Sequence, residues 1–200
     1  MSKNDDRTPP KRVRLTGLQE AQLPDLLKVE AQCAAMYHER GFDAAEVPVR
    51  NAKEIAALVR HHSVHVAEAD HVPVALMAWR DESPGVAYLA DLQVHPDYQR
   101  FGIATKLFEL LETEARSHGF EQIVVRCWAN APWAVAFYLR RGFTPLGEGV
   151  PAKVATWKED RSQGNPISRP GELLFWVAVS PAPHVDEDED EPTEDALPTE

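Results

Sequence analysis

The sequence predicts an α+β fold: one domain in which a mixed, mostly antiparallel central sheet is flanked by helices. Three observations lead there. Strand-like segments do not alternate one-for-one with helices, as a doubly wound sheet requires; three come in succession before the principal helix. Two of those three, Val64 to Glu68 and Pro73 to Trp79, are joined only by Ala69-Asp70-His71, which leaves room for an antiparallel hairpin and no crossover. The chain has 200 residues, 44% of them hydrophobic, enough for one core and too few for two comfortable domains.

In chain order, residues 1–11 are polar and read as a flexible arm without the apolar stretch of a signal peptide. Val13 to Leu15 is the first strand. Pro24, Leu26, Leu27, Val29, Ala31, Ala34, Ala35 and Met36 mark a helix stopped by Gly41, and a second helix spans Ala52 to Val59. The hairpin follows, then a strand alternating Tyr88, Ala90, Leu92 and Val94 against Leu89, Asp91 and Gln93. His95-Pro96-Asp97 ends it, because proline cannot donate to a ladder and presets a turn. Ile103, Leu107, Leu111 and Ala115 form one apolar stripe of the principal helix, with Gly119 as its C-terminal cap. Phe120 to Trp128 is a strand, Ala131 to Arg141 a helix closed by Gly142, Phe143 the start of another strand, and Leu173 to Val179 the last. The folded domain is thus expected over residues 12–180. The connection from Gly147 to Gly171, holding Pro151, Pro166 and Pro170, is too long for a plain turn and is expected to be functional or disordered.

Charge narrows the class of partner. The net charge is −11, but the last fifteen residues hold nine carboxylates and no Lys or Arg; without them the rest carries −2. Residues 181–200 read as an acidic disordered tail, and the domain shows no basic face suited to nucleic acid. No run approaches a membrane span. Cys33 and Cys127 lie apart without metal-ligand spacing and read as small core residues of a protein from a reducing cytoplasm. His61, His62 and His65 lack a second cluster to complete a metal site, so no metal is expected. Trp128 and Trp133 read as aromatics that pack the sheet.

The chemistry concentrates at Gln99-Arg100-Phe101-Gly102-Ile103-Ala104, where a strand runs through a turn into a helix with glycine in its first turn. Uncrowded N–H groups at a helix start form an anion site, suited above all to phosphate. The run Leu92-x-Val94-x-Pro96-x-x-Gln99-x-x-Gly102-x-Ala104-x-x-Leu107 resembles the acetyl-CoA signature of the GNAT N-acetyltransferases, and the resemblance extends through Phe143. It implies that acetyl-CoA is the acyl donor, with amides from about Arg100 to Thr105 wrapping its pyrophosphate and Leu92, Val94, Gln99, Phe101, Gly102, Ile103 and Ala104 lining its path. It also implies that the fourth and fifth strands splay to admit the pantetheine arm. The segment Ala131 to Phe143 is similar to a second family motif, with Ala134, Tyr138, Gly142 and Phe143 in place. Its asparagine falls one residue early, at Asn130, which becomes a candidate cofactor contact.

The same resemblance makes Tyr138 the general acid that protonates the departing thiolate. A phenol near pKa ~10 is protonated at neutral pH and can act without tuning. The positions from which relatives draw a base are here Ala90, which is inert, and Tyr88, the base candidate. Regular alternation puts Asp91 on the face opposite Leu92 and Val94; His38 and Glu39 at the end of the first helix stay open. The expected function is transfer of an acetyl group from acetyl-CoA to a primary amine of a small molecule by direct attack, in a monomer or homodimer. The alternatives are acetylation of a protein terminus or lysine, and a non-catalytic acyl-CoA-binding module. The long connection is expected to border the acceptor end.

Overall fold

The computed structural model describes residues 8–147, 149–162 and 171–179. Strands β1 (Val13–Gly17), β2 (Ser63–Ala69), β3 (Val72–Ser83), β4 (Val86–Val94), β5 (Gln122–Trp128), β6 (Thr144–Pro145) and β7 (Glu172–Ala178) form one sheet in the order β1-β2-β3-β4-β5-β7-β6. Only β4 and β5 run parallel; every other pairing is antiparallel. Helices α1 (Leu23–His38), α2 (Ala52–His61), α3 (Ile103–Ser117), α4 (Pro132–Leu139) and α5 (Ala152–Ser162) flank it. The mixed, mostly antiparallel sheet expected from the sequence is present. The acidic tail and residues 1–7 of the arm lie outside the described residues.

Local chemistry explains the boundaries. Asp70 and His71 both take positive φ, the tight reversal that a short hairpin needs, and Asp70 Oδ1 accepts a bond from the Arg12 amide at 3.1 Å. Asn51 opens α2 through a capping box: its side chain accepts from the amides of Lys53 and Glu54, and the Glu54 carboxylate accepts from the Asn51 amide. Gly119 leaves α3 at φ +73°.

The main core lies between the sheet and the α3–α4 layer. There Phe108, fully buried, meets Phe143 at 5.5 Å and Phe137 at 6.5 Å between ring centroids. Truncating such a ring removes transfer energy and leaves a cavity, so Phe108→Ala is expected to cost about 3–5 kcal/mol. Urea unfolding followed by fluorescence checks this. The opposite face carries α1, where Leu26 packs on Val66 and Leu76, and α5, where Val154 and Trp157 pack on Val86, Tyr88 and Val124.

Two expectations are corrected. The connection after Gly147 is no uninterrupted loop, because residues 152–162 form α5, whose Val154 and Trp157 bury one side of the turn against the sheet. Residues 163–170 of that connection lie outside the described residues. The regular alternation along β4 also fails. Ala78 pairs with Asp91 while Trp79 pairs with Leu89, so Ala90 is an extra residue in β4, a bulge. Leu89, Leu92 and Val94 consequently share the α3-side core, whereas Tyr88 packs on the other face. Tyr88 therefore does not share a face with Leu92 and Val94.

Candidate active site

The site is built where β4 and β5 part. Their ladder runs only from Val86–Gln122 to Leu89–Val125. Beyond it β4 stays with β3 as far as Val94, and β5 stays with β7 as far as Trp128. A gap opens between the two strands at their C-terminal ends.

What β4 presents to that gap follows from its pairing with β3. The Ala75–Val94 pair is flanked by a bond from the His95 amide to the Val74 carbonyl at 2.8 Å, which makes it a non-hydrogen-bonded pair. The N–H and C=O of Val94 point away from β3, and two residues earlier those of Leu92 do the same. The Val94 carbonyl accepts from Gln99 Nε2 at 2.9 Å and from Cys33 Sγ at 3.4 Å. Gln99 thereby ties the turn back onto the strand and brings the start of α3 to the gap.

That helix start has free amides of the kind an anion site requires. Gly102 is the N-cap at φ +78°, Arg100 also takes positive φ at +72°, and the first intrahelical bond runs from the Lys106 amide to the Gly102 carbonyl at 3.0 Å. The amides of Ile103, Ala104 and Thr105 thus precede any carbonyl that α3 can offer them. A cavity of about 750 Å³ begins here, bordered by Arg100, Gly102, Ala104, Thr105 and, from α4, Arg140. It passes Leu92 and Val94 to reach Tyr138, then opens toward α1. Leu92, Val94, Gln99, Arg100, Gly102, Ile103, Ala104 and Thr105 all line it. Phe101 and Asn130 do not; Asn130 is exposed in the turn after β5.

Tyr138 projects from α4 into this cavity with its ring held by Phe137 at 5.3 Å, Phe143 at 5.2 Å and Phe175 at 6.4 Å. Burial raises its pKa well above the ordinary phenol value, so the hydroxyl keeps its proton. Tyr88 is elsewhere: it is buried against Val124 and Trp157 with the Arg80 guanidinium over its ring at 5.0 Å, and burial raises its pKa too. It does not border the cavity and is in no position to take a proton there. His38 is engaged with the Val47 carbonyl at 2.9 Å, and Glu39 is exposed.

The wall toward α1 holds residues that periodicity did not single out. Arg50 grips Glu30 with Nε to Oε1 at 2.9 Å and Nη2 to Oε2 at 2.7 Å, and the same Nη2 donates to Asp91 Oδ2. Burial works against the charge of Arg50, yet the two carboxylates outweigh it and hold its pKa above the usual value. Asp91 is raised, first by burial and then by Glu30, with Arg50 opposing. Glu30 sits one turn after Leu26 and beside Cys33 and Ala34 on the buried face of α1. A carboxylate interrupting an apolar stripe was the signal available in the sequence. Trp128 and Trp133, read as packing residues, border the cavity with Tyr37, whose ring meets Trp133 at 5.3 Å. Burial pushes the thiols of Cys33 and Cys127 up to about 12 and about 11, so neither is a nucleophile at neutral pH. Among the described residues no three His, Cys, Asp or Glu side chains gather as metal ligands, and no helix is long and apolar enough to cross a membrane.

A split sheet, an amide-rich helix start and a cavity between them define a class, and comparison with known proteins identifies it. The acetyltransferase (GNAT) family matches residues 24–143, and the chain belongs to that family. It is an acetyltransferase that uses acetyl-CoA. The fold is similar to the PaiA N-acetyltransferase of Thermoplasma acidophilum, solved with coenzyme A, at TM-score 0.66 and 12% identity over 84% of this chain and 99% of that one. It is also similar to the ribosomal-protein-S18-alanine N-acetyltransferase of Escherichia coli, at TM-score 0.61 and 18% identity over 87% and 98%. The search of curated proteins returned no match.

Proposed function

We propose that the protein transfers the acetyl group of acetyl-CoA to the primary amine of a small molecule by direct attack within a ternary complex. The observation that carries this reading is the unpaired edge of β4 beyond Leu89, facing a cavity that joins the α3 N-terminus to an acidic, aromatic end. The amides of Ile103 to Thr105, helped by Arg100 and Arg140, hold the pyrophosphate. The pantetheine arm lies along Leu92 and Val94 as an extended strand would. The Val94 N–H polarises the thioester carbonyl and stabilises the oxyanion that develops there.

The neutral amine nitrogen attacks the carbonyl carbon, and the carbon–sulfur bond breaks as the tetrahedral intermediate collapses. The sulfur takes its proton from the Tyr138 hydroxyl, and the phenolate recovers one from the nitrogen, which becomes the amide. An acceptor end of cavity form, with buried Glu30 and Asp91 behind it, supports a small molecule over a protein chain. The test is thiol release from acetyl-CoA with a panel of small amines and of peptides with free N-termini, with the acetylated product identified by mass. Thiol release with peptides alone contradicts the small-molecule reading, and none with any amine contradicts catalysis.

A further inference from the structure

The groups at the acceptor end are of one chemical kind. Both bonds that Asp91 receives land on Oδ2, one from Arg50 and one from Gln93 Nε2 at 3.3 Å, so Oδ1 is left over. With its nitrogen turned to that carboxylate, the Gln93 amide aims Oε1 the other way, and this atom is buried and has no partner among the described residues. Asp91 and Gln93 both line the cavity, and Arg50 does not. Arg50 spends one charge on two carboxylates, leaving the Glu30–Arg50–Asp91 group at net −1. Two bare acceptors beside a net negative charge call for a ligand that brings N–H donors and positive charge. Tyr37 and Trp133 beyond them offer an apolar wall, and the Arg40 guanidinium already lies over the Trp133 ring at 4.8 Å.

Building on acetyl transfer to a small amine, we propose that the acceptor is an amine with an apolar body and no carboxylate next to its nitrogen. It enters as the ammonium, donates to Asp91 Oδ1 and Gln93 Oε1, and passes one proton to Asp91. The nitrogen lone pair so freed attacks the thioester, and Asp91 returns the proton to solvent through the cavity mouth. Arg50 is a positioning residue that holds Asp91 in place and favours its charge, and Glu30 positions Arg50. Regular alternation beyond the bulge at Ala90 puts Asp91 and Gln93 toward α1 while Leu92 and Val94 keep the cofactor edge.

The groups that act on Asp91 come from each element around it: Glu30, Cys33 and Tyr37 of α1, Arg50 before α2, His62 after α2 and Tyr138 of α4. Arg50 is the strongest influence favouring the carboxylate, and burial the strongest opposing it. Removing Arg50 raises Asp91 further. The acid limb of kcat/KM for the amine, which rises as Asp91 ionises, must then move to higher pH.

The test compares 2-phenylethylamine with phenylalanine, which differs by its carboxylate, on the full chain. The expected kcat/KM favours 2-phenylethylamine by about 100-fold, since the carboxylate would face Asp91. Asp91→Asn is expected to lose about 100-fold in kcat/KM for the amine, with acetyl-CoA affinity by calorimetry unchanged. Arg50→Met leaves Glu30 buried without its partner and risks unfolding, so the double variant Glu30→Gln/Arg50→Met carries the pH-profile measurement. Losing Glu30 lowers Asp91 and losing Arg50 raises it; because Arg50 acts on Asp91 by both charge and hydrogen bond and is the stronger of the two, the acid limb still moves to higher pH, by less than loss of Arg50 alone would give. Equal use of phenylalanine, full activity of Asp91→Asn, an unmoved acid limb, or 2-phenylethylamine that is neither acetylated nor bound by the CoA-loaded protein each overturns the proposal. Acetyl-CoA that binds and is turned over on phenylalanine as fast as on 2-phenylethylamine overturns this inference alone; acetyl-CoA that does not bind takes the parent reading with it.

Discussion

Replacing Tyr138 by Phe lowers turnover by about 10²- to 10⁴-fold, the usual contribution of a general acid, while acetyl-CoA affinity stays within a few-fold. The hydroxyl acts only as the thiolate leaves, so its loss falls on kcat and spares ground-state binding, which rests on the amides around Gly102. The structure makes this variant clean. Phe137, Phe143 and Phe175 pack on the ring, which the substitution keeps. A tyrosine held for structure alone would behave in the opposite way, with turnover preserved and about 1 kcal/mol lost with any hydrogen bond of the hydroxyl. Steady-state rates and the melting temperature of the same variant separate the two. Turnover within about threefold of the parent would remove Tyr138 from the mechanism.

Gly102→Glu is the second large effect, a fall in acetyl-CoA affinity on the order of 10²- to 10³-fold, as expected for a like charge placed a few ångströms from the pyrophosphate at intermediate screening. Steric blockade is not the cause: a Cβ at Gly102 meets nothing within 4 Å. Two other penalties act. The residue stands at φ +78°, where an L side chain costs about 1–2 kcal/mol, and its carboxylate would occupy the anion site at the start of α3. A carboxylate at a helix N-terminus is locally favourable, which limits the harm to the fold. Gly102→Asn separates the two penalties, since asparagine tolerates the left-handed region and carries no charge. It is expected to cost only a few-fold in affinity. Calorimetric titration with acetyl-CoA, with circular dichroism as the fold control, reads both variants; equal losses would show that backbone strain, and not charge, governs the site.

How much of this was legible in the sequence divides along physical lines. Elements set by local periodicity were readable: the stripe of α3, the hairpin turn at Asp70-His71 and the glycine stops at Gly41 and Gly119. The geometry of the α3 start was readable for the same reason, because it lies within a few consecutive residues. Helix α5 was not, since its sequence offers only Val154 and Trp157 as large apolar side chains, and the prolines around it read as loop. The bulge was hidden because Leu89-Ala90-Asp91-Leu92 satisfies an ordinary alternation, and only the pairing with Ala78 and Trp79 reveals the extra residue. The ion group was hidden by distance, with Arg50 meeting carboxylates 20 residues before it and 41 after it. No spacing rule reaches that far. The base candidate fell on Tyr88 because its face was judged from an unbroken strand, which would have put it with Leu92 and Val94.

The alternation of β4 beyond Ala90 also has an evolutionary consequence. It lets neighbouring positions of one strand answer to different selective pressures: on the proposed reading 92 and 94 would hold the donor, while 91 and 93 would face whatever acceptor a given lineage needs. Substitutions at the latter pair can retune the acceptor without disturbing the cofactor. A one-residue deletion between 91 and 94 would break that separation by carrying position 94 to the other face, disturbing donor and acceptor preference in one step.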